Sequence, residues 1–109
     1  MNSDECSKYL KALADPERLR IVQCLQDGPR TVGEIVQKLG LPIANVSHHL
    51  KQLKIAGVAT GRKNGRFVIY ALGEELVKKP AGKAGTSLDV LDFGCCRLEL
   101  GKAKGEGAE

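Results

Sequence analysis

The sequence predicts a mainly α-helical domain closed by one small β-hairpin, and three features of its 109 residues predict it. Helix-start chemistry recurs at Asp15-Pro16 and at Thr31-Val32-Gly33-Glu34. Two amphipathic stretches meet at a tight Gly40-Leu41 turn. An Asn64-Gly65 pair lies between two β-type runs, a strong hairpin signal.

In chain order, Ser3 is placed to cap a first helix with Asp4 and Glu5 in its first turn. Cys6, Tyr9, Leu10 and Leu13 share one helical face. Asp15 suits an N-cap and Pro16 the first helical position. Leu19, Ile21, Val22, Cys24 and Leu25 then give a second helix a wide apolar face, and Asp27-Gly28-Pro29 stops it. Thr31 and Glu34 read as a capping box. Val32, Ile35, Val36 and Leu39 repeat at helical spacing, and Gly40 is a natural stop. Pro42 opens a helix running to about Ala56, with Val46, Leu50 and Leu53 inward. Two helices joined in this way make a helix-turn-helix. The runs on either side of Asn64-Gly65 form its wing, so the fold class is a winged helix-turn-helix.

Composition narrows the function. The formal net charge is +4, and the pI of about 9.0 suits a polyanionic partner. Aromatic residues make up 4% with no Trp, which disfavours base stacking on aromatic platforms. No apolar run reaches membrane-spanning length, and the polar, acidic Met1-Asn2-Ser3-Asp4-Glu5 start does not read as a signal peptide. The expected location is the cytoplasm, where Cys6, Cys24, Cys95 and Cys96 are expected as reduced thiols.

With Val46 inward, Asn45, Ser47, His48, Lys51 and Gln52 fall on the outer face or flanks of the fourth helix. Small polar groups followed by cations suit insertion into the major groove of double-stranded DNA. Amide, hydroxyl and imidazole groups reach base edges there. Lys51 and Lys54 are placed for phosphates. Arg62, Lys63 and Arg66 on the wing suit backbone or minor-groove contact. The plainer alternative is a solvated polar surface. His49 sits near the inward stripe and reads as a packed histidine bonded within the domain. Neither histidine has a second ligand at metal spacing.

Three motifs in order then resemble the ArsR/SmtB-type bacterial repressors. Residues 11–21, Lys-Ala-Leu-Ala-Asp-Pro-Glu-Arg-Leu-Arg-Ile, are similar to that family's opening. Leu39-Gly40-Leu41, Val46-Ser47-His48-His49-Leu50-Lys51, Leu53 and Ala56-Gly57-Val58 resemble its helix-turn-helix, and residues 62–70 its wing. The resemblance covers roughly Leu10 to Leu72. It implies a homodimer, a palindromic operator, and an interface made by the first helix and the C-terminal segment. It also implies release from DNA by a metal or metalloid in many members. Asn45, Ser47 and His48 take base-reading positions, and Arg62 and Arg66 those of wing contacts. Pro42-Ile43 replaces the usual Ser-Gln. The cysteine motif of arsenic and cadmium sensing is absent from residues 31–36, and the zinc-type His/Asp/Glu set is absent too.

The remaining sensor candidate is Cys95-Cys96. Vicinal thiols, with a third, bind trivalent arsenic or antimony or a soft metal ion. Cys6, on the helix that the family packs near the C-terminal segment across a dimer, is the third thiol. Packing alone and an oxidation switch stand beside this reading, as does an ArsR-like regulator with no metal inducer. Alternation of Leu98 and Leu100 with Arg97 and Glu99 reads as extended, whereas the family implies a helix. In a strand, adjacent side chains point apart, which makes a vicinal chelate awkward. Residues 1–76 are thus expected to form the winged domain and 77–87 a flexible linker. Residues 88–100 are expected to be a dimerisation or sensing segment, and 101–109 a disordered tail. The rivals are a protein-interaction winged helix, which needs no cations on both helix and wing, and a thiol oxidoreductase, which lacks a base, a cofactor loop and a CxxC spacing.

Overall fold

A computed structural model describes residues 3–76 and 90–100. The expected linker at 77–87 and tail at 101–109 lie outside the described residues. The order is α1 (Ser3–Leu13), α2 (Pro16–Leu25), β1 (Arg30–Thr31), α3 (Val32–Leu39), α4 (Ile43–Ile55), β2 (Ala59–Asn64), β3 (Phe67–Leu72), β4 (Val90–Asp92) and β5 (Arg97–Glu99).

The local start signals act as their chemistry requires. Asp15 accepts from the backbone N–H groups of Glu17 and Arg18, with Pro16 opening α2. Thr31 accepts from the Glu34 amide, and the Glu34 carboxylate accepts from the Thr31 amide. Two orphan donors of α3 are thereby satisfied. Gly40 closes α3 in a left-handed cap. Pro42 stands at the N-cap of α4, which has no side-chain cap bond.

Ile21, Val22, Cys24, Ile35, Val46, Leu50, Leu53 and Val58 are wholly buried where α2, α3, α4 and the wing meet. Leu10, expected inward, is 45% exposed. The buried face of α1 runs through Cys6, Ala12 and Leu13, with Tyr9 half-buried among them, and at about 100° per residue Leu10 lies roughly a quarter-turn off the centre of that face.

Two details of the wing differ from expectation. Asn64 pairs with Phe67, so the two-residue loop is Gly65-Arg66 rather than Asn64-Gly65. Gly65 takes the positive φ, 65°, at the first central position, where hairpin twist favours glycine. Arg66 therefore sits at the tip. The wing also gains β1, which pairs antiparallel with β3 through Arg30↔Tyr70 and Thr31↔Ile69. Thr31 is both the end of a strand and the cap of α3.

The C-terminal segment is a hairpin, β4 pairing antiparallel with β5. Among the described residues 90–100, the helix implied by the family resemblance does not form. Gly94 lies in the turn at a φ of 88°, and apolar alternation continues through β5. Leu91 and Phe93 join the core of the winged domain. The Phe93 ring stacks on Tyr9 of α1, centroids 4.7 Å apart.

Candidate nucleic-acid interface and thiol centre

Helix α4 has one buried face and one open one. Val46, Leu50 and Leu53 seal the inner face, and Asn45, Ser47, His48 and Lys51 are all exposed. His48 points furthest from the core. Asn45 and Lys51 lie about 60° to either side of it, with Ser47 on the flank. Arg62, Lys63 and Arg66 are exposed on the wing. Helix and wing thus offer seven exposed polar or cationic side chains, of which His48 lies with its ring centroid 5.5 Å from that of buried His49.

His49 anchors the helix from behind. Arg18 Nε donates to His49 Nδ1 at 3.1 Å. In the neutral ring the proton therefore sits on Nε2, which donates to Glu17 Oε1 at 2.9 Å. Arg18 also donates to the Ala12 carbonyl. The first turn of α2 is thereby tied to the middle of α4. Asp15, 3.9 Å from the same ring, is held below the ordinary carboxyl range. The backbone amide of Arg18 is the largest cause; burial works against it, and the Glu17 amide and the neighbouring His49 and Arg18 side chains assist. The packed role expected for His49 matches these bonds; its partners were not visible from spacing.

The thiols are a second centre. Cys6 is joined to Cys95 by a disulfide, with Cα atoms 6.1 Å apart. This corrects the expectation that all four cysteines are reduced thiols. That expectation came from compartment alone, whereas the fold carries the C-terminal turn onto α1. Cys96 Sγ lies 3.6 Å from Cys6 Sγ and 3.9 Å from Cys95 Sγ. Among the described residues, the three sulfurs all lie within 4.8 Å of one another. They come from one protomer, where the resemblance had implied a contact across the dimer. Cys95 and Cys96 occupy the turn between β4 and β5, so the pleat that would part neighbouring strand residues does not act on them. With metal–sulfur bonds of about 2.3 Å, thiolates sharing one ion stand about 3.5–4 Å apart. Once the disulfide is reduced, the three cysteines form a group that could hold a metal ion. Cys24 is buried in the core.

The α2–β1–α3–α4–β2–β3 order with a solvated outer helix and a basic hairpin defines a winged helix-turn-helix protein. A family model described as a helix-turn-helix domain matches residues 13–62. The HTH-type transcriptional repressor SmtB of Mycobacterium tuberculosis is 46% identical over 71 residues, 65% of this chain and 53% of that protein. The chain thus spans about half the length of that relative. A probable mercury resistance operon repressor of Streptomyces lividans is 32% identical over 110 residues, covering 97% of this chain and 83% of the relative. Among solved structures, HlyU from Vibrio cholerae superposes with a TM-score of 0.64 at 36% identity, covering 67% of this chain and 79% of that one. A homodimeric winged helix-turn-helix DNA-binding domain from Mycobacterium bovis, described as a possible ArsR-family regulator, gives a TM-score of 0.63. Its identity is 32%, with 66% of this chain and 67% of that chain covered. The chain belongs to the ArsR/SmtB family of helix-turn-helix transcriptional repressors. This is a family of transcriptional regulators and not of enzymes, which sets the oxidoreductase reading aside. No described helix is long and apolar enough to cross a membrane.

Proposed function

We propose that this chain is a cytoplasmic, homodimeric repressor that reads a palindromic operator. The carrying observation is the open face of α4 beside the basic wing. Asn45, Ser47 and His48 would contact base edges in the major groove. Lys51, Arg62, Lys63 and Arg66 would bind phosphates, with the Arg66 tip near the minor groove. Exposed Leu10 on α1 and the homodimeric Mycobacterium bovis relative support pairing through α1.

Operator release would be controlled at Cys6, Cys95 and Cys96. When these are reduced, their thiolates would hold trivalent arsenic, trivalent antimony or a soft metal ion, as the sulfur spacing favours. The Streptomyces relative, described as a probable mercury resistance operon repressor, supports the same donor class. The disulfide favours a second reading, release by oxidation. In that reading the Cys6 and Cys95 thiols give two electrons and two protons to a peroxide, which leaves as two waters.

The test is selection of bound sequences from random DNA, followed by titration of the selected duplex with arsenite, antimonite, cadmium or peroxide. An inverted repeat with steeply salt-dependent affinity is the expected result. No enrichment, or affinity indifferent to salt, would leave the protein-interaction reading instead. Cys95→Ser/Cys96→Ser should abolish release by arsenite, and undiminished release would rule those thiols out.

A further inference from the structure

We propose that Tyr9 and Phe93 relay the state of the thiol cluster to Gly57, the joint between α4 and the wing. The proposal rests on the reading of the cluster as the control site, and names how that site reaches the DNA-binding face.

The two rings belong to the two halves of the cluster. Tyr9 stands three residues after Cys6, one helical turn along the same face of α1. Phe93 stands two residues before Cys95, is 1% exposed, and donates its backbone N–H to the Cys96 carbonyl at 2.9 Å. The rings are 4.7 Å apart and inclined by 21°. Seating the thiol turn on α1 and stacking the rings are therefore one event. A shift of Cys95 or Cys96 against Cys6 moves Phe93 against Tyr9.

Beyond the stack, Tyr9 faces Gly57 across the space that a side chain on Gly57 would fill. A Cβ on Gly57 would stand 3.7 Å from Tyr9 Cε1 and 3.8 Å from its hydroxyl. Gly57 has a φ of 86°, a left-handed turn that lets the chain leave α4 for β2. Val58 follows, wholly buried, its N–H donating to Leu53 at 2.9 Å and its carbonyl accepting from Gly73 at 2.9 Å. The end of α4 and the far end of the wing thus meet beside Gly57. A second tie reaches the same point: Asp92 N–H donates to Leu76, and Leu76 N–H to Gly73. An open cavity of about 410 Å³, lined in part by Tyr9, Gly57, Gly73 and Leu76, gives the ring room to shift.

The test follows backbone amide chemical shifts of the full chain in the reduced, arsenite-loaded and peroxide-oxidised forms. Cys95→Ser, which cannot close the link, supplies a further cluster state that needs no reagent. In the unmodified chain the Gly57, Val58 and Gly73 amides should move between these states. In Phe93→Leu, and in the milder Tyr9→Leu at a half-buried site, movement should stop at the thiol turn. Arsenite should still bind one per chain in both. Operator affinity should fall about 10-fold on loading in the unmodified chain, within the usual range of coupling, and less than about 2-fold in either variant. Still amides at residues 57, 58 and 73 in the unmodified chain, or equal movement in both variants, would overturn the relay. Movement as expected with unchanged operator affinity would leave the relay standing and sink the control reading alone.

Discussion

Replacing Arg66 with Ala at the wing tip separates phosphate binding from base reading. Lys51, Arg62, Lys63 and Arg66 are exposed, so a dimer presents each of them twice. If all eight neutralise phosphates, log affinity should fall with log salt at a slope of about −7. Raising salt from about 50 to 200 mM would then weaken binding by about 10⁴. Arg66→Ala removes two contacts per dimer and should flatten the slope by about 1.8, so the salt penalty shrinks about 12-fold. Affinity for operator and random duplex should drop together. His48→Ala should leave the slope unchanged and lower discrimination at each half-site by the roughly 1–3 kcal/mol typical of a base contact, about 5- to 150-fold per half-site. Fluorescence anisotropy on labelled operator and scrambled duplex, repeated at four salt concentrations, reads both quantities. A slope indifferent to Arg66, or equal loss of discrimination in the two variants, would refute the division of roles.

Two further outcomes concern stability. Thr31→Ala removes the acceptor for the Glu34 amide and should cost about 1 kcal/mol in urea unfolding; no change would mean that water replaces the bond. Asp15 has a folded pKa below its unfolded one. Its stabilising contribution is therefore complete above the ordinary carboxyl range and lost as pH falls through the depressed value. The unfolding midpoint of Asp15→Asn should accordingly fall less on acidification than that of the unmodified chain, and parallel curves would contradict the role.

What was legible in the sequence was local. Asp15-Pro16, the Thr31–Glu34 box and the Gly40 cap each act within a few residues, so composition and spacing specify them. The outer face of α4 followed from the period set by Val46, Leu50 and Leu53. The hairpin was visible, but its loop lay one residue on, because the Asn64–Phe67 pairing belongs to the whole sheet. Strand β1 was missed since two residues carry no period. The His49–Arg18–Glu17 bonds, the Tyr9–Phe93 stack and the Cys6–Cys95 link join distant parts of the chain. Nothing along the sequence marks such pairs until α1, α4 and the C-terminal turn are packed together. Cys6 carried a hint in its place on the inward face of α1, but one thiol in an apolar stripe equally fits plain packing.

The Cys6–Cys95 link has a consequence apart from DNA. It closes a loop of 89 residues, nearly the entire chain. In the chain-entropy picture such a closure destabilises the unfolded ensemble by roughly 4–5 kcal/mol. That is a large fraction of the stability of an ordinary small domain, about 5–15 kcal/mol. Oxidised and reduced molecules would then open to proteases at frequencies differing by about a thousandfold. The oxidising state of the cell would set how long each molecule lasts, and so how many are present to act.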